Sequence, residues 1–171
     1  NLCSQHVDKH VVKMILEYAQ LLSTAHRVLD GSEHTIVSQS GRKKKVWLLT
    51  DSRDSNLYSA THINHPSAKW ARHSEQNYRW LFTLWCELLT EYTYRYGKQH
   101  ASSRLLTYLA RPPKSIKMDE QFCAPWRAMP DEYKFDRSEP DYTVKSYRAY
   151  YLGAKTQMLK WKNRETPDWV H

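Results

Sequence analysis

The residues best suited to chemistry lie near the start of the chain, where Asp8-Lys9-His10 is followed by Glu17. The segment predicts one amphipathic helix, and positions seven apart in an α-helix lie within roughly 20° of each other, so His10 and Glu17 share a face. Met14 and Leu21 fall on the same face, beside the imidazole and the carboxylate. Partial burial raises the pKa of a carboxyl group and suits such a pair to proton transfer. The alternative is a structural pair with satisfied hydrogen bonds.

The elements that position these residues are predicted to be mainly helical. We predict helices over 8–29 and 102–110, a long helix from a cap at Ser74 to Tyr96, a last helix from a cap at Asp141 or Thr143 to about Trp161, and a short helical segment that opens at Pro66. Gly31 and Gly97 are suited to end the two long helices, and Ser74 is suited to cap the second. Residues 44–49 could form a short strand, whereas the rest of 32–65 and most of 119–140 are expected to be irregular. The prediction is one compact, mainly α domain spanning 1–171, with long loops and at most a short strand or hairpin.

The second long helix carries a helical stripe, formed by Trp70 before it and by Asn77, Leu81, Leu84, Leu88 and Glu91 along it. The stripe is largely apolar and is typical of a face that packs against another helix. Asn77 and Glu91 therefore lie at the two ends of a predicted core seam.

The charge balance favours a polyanionic partner. The chain has 26 Lys and Arg against 18 Asp and Glu, a formal net charge of +8, and such an excess is typical of proteins that bind nucleic acid. The densest basic run is Arg42-Lys43-Lys44-Lys45, for which the alternative is a solvated loop. The predicted DNA contacts are Lys9, Lys13, Arg42, Lys43, Lys44, Lys45, His65, Lys69 and Arg72, with Arg27 and Arg79 extending the basic patch.

The dipeptide His65-Pro66 is a candidate phosphate contact. Proline is tolerated in a first helical turn, and the free amides there can receive a phosphate, to which His65 would add a donor. The alternative is a plain helix start.

Several other classes of site are not predicted. The three cysteines, Cys3, Cys86 and Cys123, are far apart in the chain and are interpreted as reduced thiols. The histidine pairs His6/His10 and His62/His65 each lack an evident third ligand, so we predict no metal site and no cofactor. The sequence has no glycine-rich phosphate loop, no nucleophile elbow, no signal peptide and no membrane span. We expect a cytoplasmic protein.

The order of short motifs along most of the chain resembles one known family. These motifs are Asp8-x-His10, Glu17, His65-Pro66 with Trp70, Glu91-x-x-x-Arg95-Tyr96-Gly97-x-x-His100 and Tyr147-Arg148-Ala149-Tyr150-Tyr151. Together they resemble the small phage-type pyrimidine-dimer DNA glycosylases, also called endonuclease V. The chain is also similar to uncharacterised phage proteins that carry Asp-Lys-His-Val-Val-Lys-Met.

The resemblance implies a DNA glycosylase with AP lyase activity that acts on double-stranded DNA. In that family an N-terminal α-amine attacks the deoxyribose C1′ and forms a Schiff base, while a glutamate on the first helix assists. The glutamate follows an aspartate by nine residues, the separation of Asp8 and Glu17 here. The resemblance thus implies a catalytic role for Glu17 and a role at the DNA for His10. Where that family has arginines beside the glutamate, this chain has Leu16 and Gln20.

Two alternatives remain open at the level of sequence. One is a transferase that adds an amine or an amino acid to an activated thymine base in hypermodified phage DNA, with Glu17 as the base that accepts a proton from the amine. The other is a non-catalytic DNA-binding or virion-associated protein, in which the stripe on the first helix is part of the core.

Overall fold

The computed structural model of the chain describes residues 3–125, 131–136, 138 and 141–170. The helices are α1 (Asp8–Asp30), α2 (Arg53–Asn56), α3 (Pro66–Ala71), α4 (Glu75–Tyr96), α5 (Leu106–Leu109) and α6 (Tyr142–Ala154). The strands β1 (Ser32–Val37) and β2 (Lys43–Leu48) form an antiparallel two-stranded sheet. Short 3₁₀ turns occupy Cys3–Gln5, Ala101–Leu105, Asp131–Tyr133, Thr156–Met158 and Asp168–Val170. The predicted mainly α class, with no more than a hairpin of sheet, is confirmed.

The long helices α1 and α4 pack against each other in antiparallel directions. Asp8 of α1 meets Arg95 at one end, and His26 meets Tyr78 at the other. Burial of apolar side chains between the two helices supplies the main stabilisation of such a fold. The core includes Val11, Ile15, Ala19 and Leu22 from α1 and Leu81, Leu84, Trp85, Leu88 and Leu89 from α4.

The core stripe of α1 lies beside the stripe that carries His10 and Glu17. The fully buried positions of α1 begin at Val11 and recur at helical spacing, whereas Met14 and Leu21 are only partly buried against the core. The face predicted from Met14 and Leu21 therefore forms the edge of the core, and Tyr151 of α6 contacts His10 on this face.

The bounds of α3 and α4 match the sequence prediction. The hydroxyl of Ser74 accepts a hydrogen bond from the backbone N–H of Asn77 at 3.2 Å, so Ser74 caps α4 as predicted. The helix ends at Tyr96, before Gly97, and α3 begins at Pro66. Every predicted member of the α4 stripe is buried, including Asn77 and Glu91.

Three predicted elements differ from the structure. Residues 32–37 form a strand, where a loop was predicted. Both faces of this strand are exposed, so its sequence lacks the alternation of apolar and polar residues that marks a half-buried strand. The helix predicted over 102–110 divides into a 3₁₀ turn and α5. The last helix ends at Ala154 instead of near Trp161. The irregular segment predicted for 119–140 lies partly outside the described residues.

No helix within the described ranges is both long and apolar enough to cross a lipid bilayer.

Candidate nucleic-acid interface

The basic run at residues 42–45 lies at the outer end of the hairpin formed by β1 and β2, hereafter the hairpin. Val37 is opposite Lys43 in the antiparallel register. The turn beyond this pair is closed by the backbone N–H of Ser38, which donates to the carbonyl of Arg42 at 2.9 Å. Gly41 has a φ of 76°, a left-handed conformation that glycine adopts without a steric cost. A tight turn therefore fixes where the basic run begins.

The basic side chains of the hairpin point to both of its faces. Successive side chains of a strand alternate between faces, so Lys43 and Lys45 lie on one face of β2 and Lys44 on the other, and Arg42 lies in the turn before the strand. All four residues are exposed. Lys45 is paired with Glu33, with 2.8 Å between Nζ and Oε1. Among the residues that the structure describes, no carboxylate pairs with the other three.

The base of the hairpin is anchored by a buried arginine. Arg27 is only 6% exposed. Its guanidinium donates to the carbonyl of Trp47 at 2.8 Å and to the carboxylate of Asp54 at 2.7 Å, and it also donates to the carbonyls of Asp54, Leu57 and Tyr58. The expectation that Arg27 belongs to a basic surface patch is therefore wrong, because every nitrogen of its guanidinium is used inside the protein.

Gly31 brings the end of α1 close to β2. A Cβ at this position would lie 2.5 Å from the carbonyl oxygen of Arg27 and 2.9 Å from that of Leu48. Both atoms are backbone, so a larger residue would force the hairpin away from the helix. Gly31 ends α1 as predicted, but its φ of −95° shows that close approach, and not a left-handed turn, requires glycine there.

A second network supports the same end of α1. Arg53 donates to Asp30 at 2.6 Å and to Nδ1 of His26 at 2.9 Å. Because a guanidinium only donates, Nδ1 accepts, and Nε2–H of His26 donates to the hydroxyl of Tyr78 at 2.8 Å. That hydroxyl donates to the carbonyl of Leu109 at 2.9 Å. Burial and the adjacent Arg53 lower the pKa of His26 to about 4, so the ring is neutral at physiological pH.

The opposite end of α1 is built around a buried ion-pair network of Asp8, Glu91, Arg95 and Arg164. The side chain of Arg95 is inaccessible to solvent, and its guanidinium donates to Asp8 at 2.9 Å and to Glu91 at 2.7 Å. Arg164 donates to the other oxygen of Glu91 at 2.8 Å. Burial alone would raise the pKa of Glu91, but hydrogen bonds from Arg164 and Arg95 hold it below its usual range.

The same network joins the start of α1 to the segment 160–170, hereafter the tail. The carboxylate of Asp8 accepts hydrogen bonds from the backbone N–H of Lys162 at 2.9 and 3.0 Å. The backbone N–H of Asp8 donates to the carbonyl of Lys160 at 2.8 Å. Asp8 of the Asp-Lys-His motif is thus a structural residue, which the sequence pattern did not indicate.

The two residues predicted to be catalytic have different environments. The hydroxyl of Tyr151 contacts the imidazole of His10. Burial, with the neighbouring His6 and Lys13, lowers the pKa of His10 to about 4. The side chain of Glu17 is 41% exposed, and its Oε1 lies 3.2 Å from Nζ of Lys13. Glu17 is thus partly buried and paired with Lys13, and the catalytic roles of Glu17 and His10 stay predictions.

The predicted contact at His65 has a local structural role. Nδ1 of His65 accepts a hydrogen bond from the backbone N–H of Ser67 at 3.1 Å, so the ring caps α3. That amide is not free for a phosphate as expected. The ring itself is exposed, and its role at DNA stays a prediction.

The remaining predicted basic contacts lie outside the hairpin, on or next to the helices α1 and α3. Lys9, Lys13 and Lys69 are exposed. Lys9 lies in the first turn of α1, about 30 Å from the end of that helix given a rise of 1.5 Å per residue. Arg72 donates to the carbonyl of Ile63 at 2.7 Å, and burial lowers the pKa of Arg72. Arg79 is exposed and is paired with Glu75.

A polar cleft of about 680 Å³ lies beside the N-terminal network. We call it the tail cleft; it is lined by Ser4, Gln5, Tyr94, Arg148 and residues 163–169. The guanidinium of Arg148 donates to the side chain of Gln5 and stacks over the ring of Trp169. The cleft brings both signs of charge together, because Glu165 and Asp168 line it with Arg148 and Arg164.

Sequence reasoning missed the residues that fix the hairpin and the tail. The roles of Arg27, Arg53, Asp54 and Arg164 depend on partners that are 20 or more residues away in the chain. No local pattern encodes such pairs. The one signal was the position of Arg27 and Arg95 on otherwise core-facing segments of α1 and α4.

None of the three cysteines is in a disulfide bond in the structure. No group of three or more histidine, cysteine, aspartate or glutamate residues lies close enough to hold a metal ion within the described parts of the chain. Comparisons with protein-family models, with curated proteins and with solved structures find no match to this chain.

Proposed function

We propose that the protein binds double-stranded DNA through the hairpin and acts on a base in that DNA as a glycosylase with AP lyase activity. The observation that carries the proposal is the hairpin itself, on which four consecutive basic residues are exposed and one is paired with a carboxylate. Cations on a DNA-binding surface release the counterions condensed on phosphates, which drives association.

Several arginines outside the hairpin are paired within the fold, which supports the hairpin as the DNA-binding surface. Arg27, Arg53 and Arg95 are engaged by carboxylates or carbonyls. Their charges are therefore neutralised inside the fold and contribute little to long-range attraction. The hairpin is the region where adjacent cations are both exposed and largely unpaired, so it is the part of the described surface best suited to a polyanion.

The catalytic part of the proposal rests on Glu17 and on the resemblance to the pyrimidine-dimer glycosylases. An amine attacks C1′ and forms a C–N bond, while the bond from C1′ to the base breaks and the base leaves with that electron pair and a proton. The sugar ring then opens at C1′–O4′ and gives a Schiff base, from which elimination breaks the 3′ phosphate ester. Water finally releases the amine, so no oxidant or reductant is needed.

The carboxylate of Glu17 is accessible, as contact with a DNA sugar requires. The family resemblance assigns the amine to the chain terminus. Among the described residues, the amine of Lys13 is paired with Glu17 at 3.2 Å. Both amines are therefore candidates for the covalent intermediate.

The binding test compares salt dependence. Replacing Arg42, Lys43, Lys44 and Lys45 by alanine should flatten the slope of log K against log salt on duplex DNA, by roughly 0.9 for each phosphate that is no longer neutralised. Lys98 and Lys160 are exposed lysines elsewhere on the chain, and their double alanine variant is the control. An unchanged slope in the hairpin variant would contradict the proposed surface.

The catalytic test is borohydride trapping on duplex DNA that contains an abasic site or a pyrimidine dimer. A covalent adduct is expected from the unmodified protein, and peptide mapping identifies the amine. Glu17→Gln should reduce the yield by a factor of about 10² to 10⁴. Glu75→Gln is the matched control, because Glu75 also forms an exposed i,i+4 ion pair. No adduct on either substrate would exclude the lyase.

A non-catalytic DNA-binding protein is the second candidate. The observation that favours it is the Lys13–Glu17 pair, because exposed i,i+4 pairs are common on helix surfaces and have no necessary role. Salt-dependent binding without any covalent adduct would favour this candidate over the glycosylase.

A further inference from the structure

We propose that the hairpin enters the major groove of DNA with its tip first and that Ile36 and Val37 contact the methyl groups of thymine. The inference rests on the proposed binding of double-stranded DNA and deepens it, because it states which groove is occupied and which chemical group is read.

Positive charge lies on both faces of the hairpin. A ribbon that lay flat on a phosphate backbone would need cations on one face. Here Lys43 and Lys45 point to one face and Lys44 points to the other, with Arg42 in the adjoining turn. A groove has a phosphate backbone on both sides, so an element inserted between them meets negative charge on each face.

The hairpin has the dimensions of an element that fits the major groove of DNA. Each strand has six residues, which gives a ribbon roughly 20 Å long at about 3.3 Å per residue. The major groove is about 12 Å wide and 8.5 Å deep and admits a two-stranded ribbon, whereas the minor groove is about 6 Å wide. The tip of the hairpin therefore reaches the floor of the major groove while the helical body stays outside the duplex.

The outer end of the hairpin also carries exposed apolar surface. Val37 is 67% exposed and Ile36 is 45% exposed, and they lie on opposite faces beside the basic run. Exposed β-branched side chains on a two-stranded ribbon do not stabilise it by burial, and such a ribbon is marginally stable alone. In the major groove the apolar group presented by a base pair is the thymine methyl.

The base of the hairpin is anchored to the end of α1. The guanidinium of Arg27 binds the carbonyl of Trp47 in β2, and Gly31 lets the end of α1 approach the carbonyl of Leu48. The ribbon thus leaves the body in a fixed direction. Insertion then needs little ordering of the ribbon, which lowers the entropic cost of binding.

The decisive experiment uses the unmodified protein and two duplexes that differ only in thymine and uracil. Uracil pairs like thymine but lacks the methyl group. The affinity for the uracil duplex should be lower by about fourfold for each methyl group buried. Netropsin, which occupies the minor groove, should not displace the protein. These measurements do not depend on the folding of any variant.

A variant then assigns the methyl contact to the hairpin. Ile36→Ser with Val37→Ser should bind the thymine and uracil duplexes equally and should keep the salt dependence of the unmodified protein. Val12→Ser is the control, because Val12 is an exposed valine on α1. It should retain the preference for thymine.

The outcomes separate this inference from the proposed function. Equal affinity of the unmodified protein for both duplexes, or displacement by netropsin, would overturn major-groove insertion while salt-dependent DNA binding stands. A preference for thymine that persists in the Ile36 and Val37 variant would overturn the assignment to the hairpin. An absence of any DNA binding at low salt would overturn both the inference and the proposed function.

Discussion

The two ends of α1 use positive charge in opposite ways. Beyond its C-terminal end, the hairpin presents exposed lysines of which Lys44 has no carboxylate partner among the described residues. At its N-terminal end, Arg95 and Arg164 are matched by Asp8 and Glu91, and Arg95 is inaccessible to solvent. A net charge of +8 therefore does not by itself locate a binding surface. What matters is which cations remain unpaired after the fold has used the others.

The largest effect is expected at the buried end. Arg95→Leu leaves the carboxylates of Asp8 and Glu91 without their shared partner, and removal of one member of a buried ion pair costs roughly 3 to 5 kcal/mol. Urea denaturation should show a loss of this size in the free energy of unfolding. The control is Arg79→Leu, which breaks an exposed ion pair and should cost about 0.5 kcal/mol or less. Similar losses for both variants would contradict the comparison.

The second prediction concerns the histidines, since each end of α1 holds one whose pKa is lowered to about 4. The unfolded chain has histidine pKa values near 6.5 and binds more protons between these limits. Stability is therefore fully present above pH about 6.5 and falls as the pH decreases toward about 4.

His26→Gln should make this decrease shallower, because glutamine can still accept from Arg53 and donate to Tyr78 but does not titrate. Melting temperatures between pH 7 and pH 5 measure the slope, above the range in which carboxylates protonate. His65→Gln is the control, because His65 is exposed. A slope in His26→Gln equal to that of the unmodified protein would refute the assignment.

A smaller loss is expected when the base of the hairpin is disturbed. Gly31→Ala places a Cβ against the carbonyls of Arg27 and Leu48, and overpacking of this kind typically costs 1 to 3 kcal/mol. DNA affinity should fall with stability, because the hairpin changes direction. The NMR signal of the Trp161 indole, which donates to the carbonyl of Gln5 at the other end of α1, should stay unchanged. A shift of that signal would show that the two ends are coupled.

The smallest effects distinguish neighbouring lysines of the hairpin. Lys45 is already paired with Glu33, whereas Lys44 is unpaired among the described residues. Lys44→Ala should therefore weaken DNA binding more than Lys45→Ala, by a factor of about two to three on the scale of surface ion pairs. Glu33→Gln should strengthen binding, since it frees Lys45. The reverse order of the two alanine variants would mean that the other face of the hairpin makes the closer contact.

The parts of the fold that were predictable are those with local signals. Ser74, Pro66 and Gly97 mark helix bounds through the hydrogen bonds and backbone angles of their immediate neighbours, and the structure confirms all three bounds. The apolar stripe of α4 likewise follows from the period of one helix. Such signals depend on a few adjacent residues and survive without knowledge of the tertiary fold.

The candidate site was only partly predictable, for two physical reasons. The basic run was visible, but β1 was not, because a strand exposed on both faces shows no alternation of apolar and polar residues. The partners of Arg27 and Asp8 were also hidden, since an ion pair between distant segments depends on topology. The Lys13–Glu17 pair is different, because its members lie four residues apart on α1 and helical spacing alone can indicate such a pair.

The closure of the tail over Asp8 has a consequence for the order of folding. The bonds from Lys162 to Asp8 join residues 154 positions apart, and those from Arg164 to Glu91 span 73 positions. Contacts of such high sequence separation have a large loop-closure entropy and form late, whereas the hairpin closes locally. During synthesis α1 and α4 are complete well before residue 160. Arg95 therefore meets Asp8 and Glu91 before Lys162 and Arg164 can complete the network.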